Sequence, residues 1–377
     1  VTRSVLVIAG EVSGDQRAAE LVRAAHAREP GLQFWGIGGD ELRAAGMEIL
    51  YDTHAMAVMG LGEVLRRYGF FRRVFADLVA RARERRPDAV LLVDYPGFNL
   101  RFAAEMRKLD IKVLYYICPQ VWAWHRARIP HMARLVNRLI AIFPFEPQVF
   151  AGTGLRVDFV GHPLVDAAQA ARAATVQALP WPGAVHMALL PGSRRQEVDR
   201  ILPVLWAAAA RLERAVPGAG FLIAAPSADV AALVRRRLAA LTGGPARCEL
   251  VVGATRAVLR QARAALVASG TATLETALMG CPMLVVYKTS PLTYFFGRLL
   301  IRVAHIGMVN LIAGRTVCPE FIQRAATPAA LAAALAPLLG DTPERAAQLA
   351  GLREVAVRLG PPGAAARAAD IVLAELC

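Results

Sequence analysis

Three stretches place charge-bearing or reactive residues where an apolar run gives way to a turn. Asp94 follows the run Ala89–Val93 and opens Asp94-Tyr95-Pro96-Gly97-Phe98-Asn99. A carboxylate at a strand's C-terminal end, ahead of a Pro-Gly turn, stands where a general base would stand, or where a turn or helix cap would. Val185–Leu190 breaks at Pro191-Gly192 and continues as Ser193-Arg194-Arg195-Gln196. Ser193 with Gln196 fits a capping box, so a helix is expected to start there and to present free N–H groups at its positive end. Gly192 would let a ligand approach the backbone, and Arg194 and Arg195 add planar cations that suit phosphate oxygens. The same residues also suit an ordinary capped turn with solvated arginines. Ala264–Ala268 leads into Ser269-Gly270-Thr271-Ala272-Thr273-Leu274-Glu275, a second turn fit for an anion. Glu275 would accept two ribose hydroxyls, or would simply favour the helix N-terminus by its charge.

The elements that position these turns alternate regularly. Ser4–Ala9 reads as a buried strand, followed by Gly10-Glu11-Val12-Ser13-Gly14-Asp15-Gln16 and the amphipathic Arg17–Arg28. Ser13 and Gln16 again suit a capping box, and Gly14 allows close approach of a ligand at a strand's C-terminal end. The dinucleotide fingerprint does not fit, because the third glycine and the ribose-binding acid are misplaced. Further strands are expected at Leu32–Gly36, Ala89–Val93, Ile111–Ile117, Leu139–Phe143 and Val157–Val160, which describes a parallel sheet. A second unit repeats the alternation with strands at Val185–Leu190, Phe221–Ala225, Glu249–Val252, Ala264–Ala268 and Pro282–Tyr287. Two helices at about Pro328–Leu339 and Pro343–Leu359 precede Pro361-Pro362 and a further helix, Ala364–Leu376. We therefore expect an α/β protein with an N-terminal domain at 1–166, a second at 167–340 and helices at 341–377 that pack on the first domain of the same or a partner chain.

Composition narrows the classes. The chain has 377 residues, 56% of them hydrophobic, enough for two large cores. No uncharged run reaches the roughly 18 residues of a membrane span, since Arg298 and Arg302 interrupt Leu292–Ala313, and no signal peptide is expected. The net charge of +14 is almost all arginine and favours anionic partners such as nucleotides or phospholipid surfaces. The arginines are dispersed and no nucleic-acid module is present, so no nucleic-acid partner is expected. Five scattered cysteines without a CxxC pair indicate neither a disulfide framework nor a zinc site, and a reducing cytoplasm is the natural setting. Phe70–Arg86 is amphipathic, with Phe71, Val74, Phe75, Leu78 and Val79 on one face. Together with Met56–Leu65 (MAVMGLGEVL) it offers either sheet packing or membrane contact. Trp122 and Trp124 line a pocket or pack.

Taken in order, GEVSGD (Gly10–Asp15), GIGG (Gly36–Gly39), AVMGLGEVL (Ala57–Leu65), DYPGFN (Asp94–Asn99), PQVWAW (Pro119–Trp124), FPFE (Phe143–Glu146), GHP (Gly161–Pro163), LPGSR (Leu190–Arg194), SGTATLE (Ser269–Glu275), VNLIAGR (Val309–Arg315) and PEFIQ (Pro319–Gln323) resemble the lipid-A-disaccharide synthases over nearly the whole chain. The resemblance implies a GT-B-like fold, two doubly wound Rossmann-like domains with a cleft between them and C-terminal helices that cross back or swap in a homodimer. It implies an inverting transfer from UDP-2,3-diacylglucosamine to 2,3-diacylglucosamine 1-phosphate (lipid X), giving the β(1→6) disaccharide 1-phosphate of lipid A biosynthesis and UDP. It further implies work at the cytoplasmic, anionic face of the inner membrane. Asp94 is then the base on the acceptor 6-hydroxyl. Some relatives carry a second aspartate three positions on, where this chain has Gly97. Gly14, Ser193, Arg194, Ser269, Gly270, Thr271, Glu275, Asn310, Glu320 and Gln323 fall at the donor. Met56, Val58, Met59, Leu61, Phe70 and Phe71 fall at the acceptor chains or bilayer. The sequence contains no DxD, so no cofactor or metal is expected, and Arg194 with the helix N-termini takes the leaving-group charge. Two other readings of the same turns stay open: another UDP-N-acetylglucosamine enzyme (peptidoglycan transferase or 2-epimerase), or a basic membrane-binding protein.

Overall fold

Successive residues of the first strand face opposite sides of a sheet, and both sides are buried. Val5, Val7 and Ala9 belong to one core and Leu6 and Ile8 to another, all fully inaccessible. That is why Ser4–Ala9 is apolar without alternation, as a central parallel strand must be. The computed structural model describes residues 3–56, 68–123, 126–291, 293–295 and 304–376. It divides into two compact units, residues 1–163 with 361–377, and residues 164–360.

The first unit is a parallel sheet of seven strands: β1 Ser4–Ala9, β2 Gln33–Gly38, β3 Glu48–Asp52, β4 Ala89–Val93, β5 Lys112–Tyr116, β6 Arg138–Ala141 and β7 Arg156–Phe159. Their order is β3-β2-β1-β4-β5-β6-β7. The order reverses between β1 and β4, and in such sheets ligands bind beyond the C-terminal ends of the strands at that switch point. The second unit has six parallel strands: β8 Val185–Leu190, β9 Ala219–Ala225, β10 Cys248–Val252, β11 Ala264–Ala268, β12 Met283–Tyr287 and β13 Glu320–Ile322, in the order β10-β9-β8-β11-β12-β13. Its switch point lies between β8 and β11. β3 and β13 carry no pattern that marks them in sequence, since every β13 residue and most of β3 are only half buried at a sheet edge.

The helices at 343–358 and 364–375 part company. Buried Gln348 accepts the Met283 N–H (2.7 Å) and donates to the Met283 carbonyl (3.1 Å), fixing the helix Pro343–Arg358 on β12 of the second unit. Only from Pro361 does the chain rejoin the first unit, so the segment expected to start at 341 starts about 20 residues later. There Ala368, Ala369 and Val372 bury themselves against the helix Val12–His26 and β1. Arg138 of β6, itself buried, binds Asp158 of β7 (2.6 Å) and Glu375 (2.8 Å), and Arg367 donates to the Val160 carbonyl (2.9 Å). Among the described residues no helix is long and apolar enough to cross a membrane.

Candidate functional site

At the first unit's switch point the GEVSGD and DYPGFN turns meet. A methyl group at Gly10 would lie 2.5 Å from the Tyr95 ring, so glycine is needed for that packing. Gly14 lies over Val93, the residue before Asp94, with ordinary room for a side chain (3.7 Å). Asp94 and Tyr95 are consecutive left-handed residues, at φ +44° and +48°. Such a backbone is costly without glycine and must be held by its surroundings. The holders are buried: the Asp94 carbonyl accepts from Asn99 Nδ2 (2.7 Å) and from the Tyr115 hydroxyl (2.5 Å). The helix Pro96–Lys108 is capped at Tyr95 with no side-chain cap, so the Asp94 carboxylate is not spent on capping. Burial, with the Glu11 charge adding to it, pushes the Asp94 carboxyl up to about 6, opposed by the Tyr95 N–H. A half-buried carboxylate that gives up and takes a proton near neutrality is suited to base catalysis.

The sequence alone shows no acidic neighbour for Asp94, and the structure supplies Glu11. It lies far off in sequence and is brought close only by β1 pairing with β4. Asp15 was also passed over. Its buried carboxylate accepts the N–H groups of Gly39 (2.6 Å), Glu41 (3.1 Å) and Leu42 (3.3 Å), tying GEVSGD to GIGG and capping the helix Asp40–Ala44. Ser13 caps nothing, because the helix Val12–His26 starts at the Glu11 cap before it. Fully buried Glu146, of FPFE, accepts from Ile142 (3.1 Å) and Phe143 (3.0 Å) and faces the Cys118 thiol and Trp122 indole. Burial pushes it up to about 8 despite these donors. Trp122 packs edge-on to Phe145 at 4.9 Å and is core.

In the second unit the two turns differ. The helix expected at Ser193 begins at Arg195. Glu197 reaches back and accepts the N–H groups of Ser193 (3.0 Å) and Arg194 (3.2 Å). Gly192, at φ +106°, takes a conformation that favours glycine, and a side chain there would meet Glu197 at 2.5 Å. Arg194 is 84% exposed and reaches Glu197 at 3.4 Å. After β11 the turn is open. Gly270 adopts φ +149°, ψ −162°, a conformation reserved for glycine, and nothing lies within 4 Å of where a side chain would start. The helix Thr271–Leu278 starts there with no side chain on its cap. Glu275 is bound by Arg256 at 2.8 Å, a partner the sequence did not indicate.

Asn310, Glu320 and Gln323 form a supporting frame. Glu320 accepts the Ile306 and Gly307 N–H groups (3.0 and 2.9 Å) and Asn310 Nδ2 (2.8 Å). Asn310 Oδ1 in turn accepts from Val317 and Cys318, at 2.8 and 2.9 Å. Gln323 holds both backbone groups of Thr289, at 3.0 and 3.2 Å. Ser269 joins this frame through its hydroxyl, which donates to the Ile306 carbonyl at 3.2 Å. These side chains are engaged with protein and tie the segments around Thr289, Gly307 and Cys318 together. Met56, expected at the acceptor chains or bilayer, is fully buried in the first unit's core. Phe70 and Phe71 pack partly on that core, edge-to-face at 5.7 Å. Val58, Met59, Leu61 and Trp124 lie outside the described residues. Among the described residues no group of three or more His, Cys, Asp or Glu side chains is placed to hold a metal.

Comparison with known proteins gives one consistent result. The family model described as lipid-A-disaccharide synthetase matches residues 5–364. The lipid-A-disaccharide synthases of Anaeromyxobacter dehalogenans and Syntrophus aciditrophicus are each 44% identical, over 99% of this chain and 97% of theirs. That of Myxococcus xanthus is 42% identical over 98% of this chain and 96% of its own. Among solved structures, the UDP-GlcNAc 2-epimerase from Neisseria meningitidis bound to UDP-GlcNAc is similar with TM-score 0.63 at 13% identity, covering 99% of each chain. A calicheamicin glycosyltransferase is similar with TM-score 0.60 at 17% identity, covering 100% of this chain and 98% of its own. These distant structures share the fold, two Rossmann-like units of the GT-B kind.

Proposed function

The chain belongs to the lipid-A-disaccharide synthase family, a glycosyltransferase family, and we propose how its residues divide the transfer. The donor is UDP-2,3-diacylglucosamine and the acceptor 2,3-diacylglucosamine 1-phosphate. The acceptor 6-oxygen attacks the donor's anomeric carbon as the bond to the UDP phosphate oxygen breaks, inverting that carbon, and the hydroxyl proton passes to Asp94. The departing diphosphate sits on the open Gly270–Thr271 turn, where the helix N-terminus and its dipole meet its charge. Exposed Arg194 adds the guanidinium, and Glu275, oriented by Arg256, takes the ribose. The Asn310, Glu320 and Gln323 frame holds the turn's neighbours in place. No metal enters this scheme.

The observation that carries the reading is the Asp94 carboxylate, held at a switch point by a strained backbone and left out of capping. The 2-epimerase reading has the fold in its favour but lacks this family match. Basic charge and the amphipathic, arginine-bearing helix Tyr68–Arg85 support work as a peripheral protein on an anionic cytoplasmic membrane surface. An exchange of the helix Ala364–Glu375 between two copies would reuse the contacts it makes here. The test is a detergent-micelle assay with both lipid substrates, with and without EDTA, read by mass spectrometry. Disaccharide and UDP in both arms are expected. Interconversion of UDP sugars without acceptor, or loss of all activity in EDTA, would overturn the scheme.

A further inference from the structure

Beside the Asp94 turn, the first unit has a cavity of ≈ 300 Å³. Pro96, Leu100 and Ala104, spaced four apart on the helix Pro96–Lys108, give it an apolar floor. Arg101 of that helix and Arg128 of the helix Arg128–Leu135 line it as well, with His131 one turn beyond Arg128. All three polar side chains are exposed. Gly97 stands at the cavity too and adds no side chain, and nothing lies within 4 Å of where one would begin.

The charges are not balanced. Neighbouring cations on these elements are engaged: Lys108 with Glu105, Arg107 with Asn137 and Arg126 with the Trp122 carbonyl. Arg101 and Arg128 have no hydrogen-bond or ion-pair partner among the described residues. Two guanidiniums converging on one cavity repel each other unless an anion lies between them, and their planar forks match phosphate oxygens. An apolar floor beneath a cationic rim selects an amphiphile with an anionic head. The volume suits a phosphate and part of a sugar or chain, not a whole diacylated sugar.

We infer that this cavity seats the acceptor's anomeric phosphate, gripped by Arg101 and Arg128, with the apolar floor meeting the start of an acyl chain. The inference rests on the transfer reaction proposed above and deepens it. The cavity starts at Pro96, two residues from Asp94, so gripping the head would fix the acceptor next to its base. The arginines are positioning residues and take no part in bond making.

The test compares two acceptors, 2,3-diacylglucosamine with and without its 1-phosphate, in wild type, Arg101→Ala, Arg128→Ala, the double variant and the two Arg→Lys variants. For the phosphorylated acceptor, KM is expected to rise about 10-fold or more in each alanine variant, the loss of one charge-assisted hydrogen bond. The kcat should change less and UDP affinity by calorimetry not at all, which also reports folding. Lysine should restore part of the loss. Wild type should prefer the phosphorylated acceptor and the double variant should not. A double variant that keeps the wild-type preference overturns the inference. So does loss of anionic-vesicle binding with an unchanged preference, which assigns the arginines to the bilayer. No disaccharide from either acceptor with wild type would sink the reaction itself, and this seat with it, before any variant is made.

Discussion

The two switch points treat their carboxylates in opposite ways. In the first unit, Asp94 follows a strand, lies half buried and is bound by little beyond one backbone N–H. In the second, Glu197 follows a strand at a similar turn and spends its carboxylate on two backbone N–H groups. The second unit repeats the contrast within itself: the turn after β8 is filled by Glu197, whereas the turn after β11 is bare. An anion seat already holding the protein's own anion is a structural cap, and an empty one is a binding site. Strand, glycine and helix start look alike in both cases.

Four measurements test that contrast. Asp94→Asn should lower kcat by about 10²–10⁴-fold, the usual weight of a general base, with UDP affinity unchanged. A variant with normal turnover would put Asp94 on a par with Glu197. Gly270→Val forces a side chain into a glycine-only conformation at the bare turn, and UDP affinity should drop about 10-fold or more. Unchanged affinity would move the diphosphate elsewhere. Glu197→Ala empties the filled turn. Denaturant unfolding should show about 1–2 kcal/mol lost with the cap, while UDP affinity holds. A large loss of affinity would instead add the backbone of the turn after β8 to the seat, beside the Arg194 guanidinium. The smallest effect concerns Glu11. The base form of Asp94 appears as pH rises through about 6, so kcat should climb through that pH. Glu11 raises the Asp94 value, so Glu11→Gln should carry the climb to lower pH by a fraction of a unit. No movement would remove Glu11 from the site.

The sequence was most readable where burial is complete on both faces. β1, β4, β8 and β11 stand at the residues their apolar runs indicate, because a central parallel strand leaves no room for polar residues. Edge strands β3 and β13 are half exposed and carry no such mark. Asp94 was readable from its turn, but Glu11 and Arg256 were not, since each reaches its carboxylate partner only through tertiary pairing. The start at Arg195 was missed because Ser193 with Gln196 and the later Glu197 offer competing caps, and the longer reach of Glu197 won. Met56 is ambiguous in sequence because an apolar residue beside an apolar, glycine-bearing loop fits a core and a lipid surface equally well, and in the structure it is core.

The return of the chain at Pro361 also governs how the molecule is made. The face of the first unit formed by Ala18, Ala19, Val22 and β1 is covered by Ala368, Ala369 and Val372. During synthesis that face has no cover until the whole of residues 164–360 has left the ribosome. A nascent first unit must therefore wait with apolar surface open to water, where it can associate with other chains. A released chain truncated after Gly360 should have a second unit that resists protease and a first unit that does not, making the helix Ala364–Glu375 the latch of the first unit.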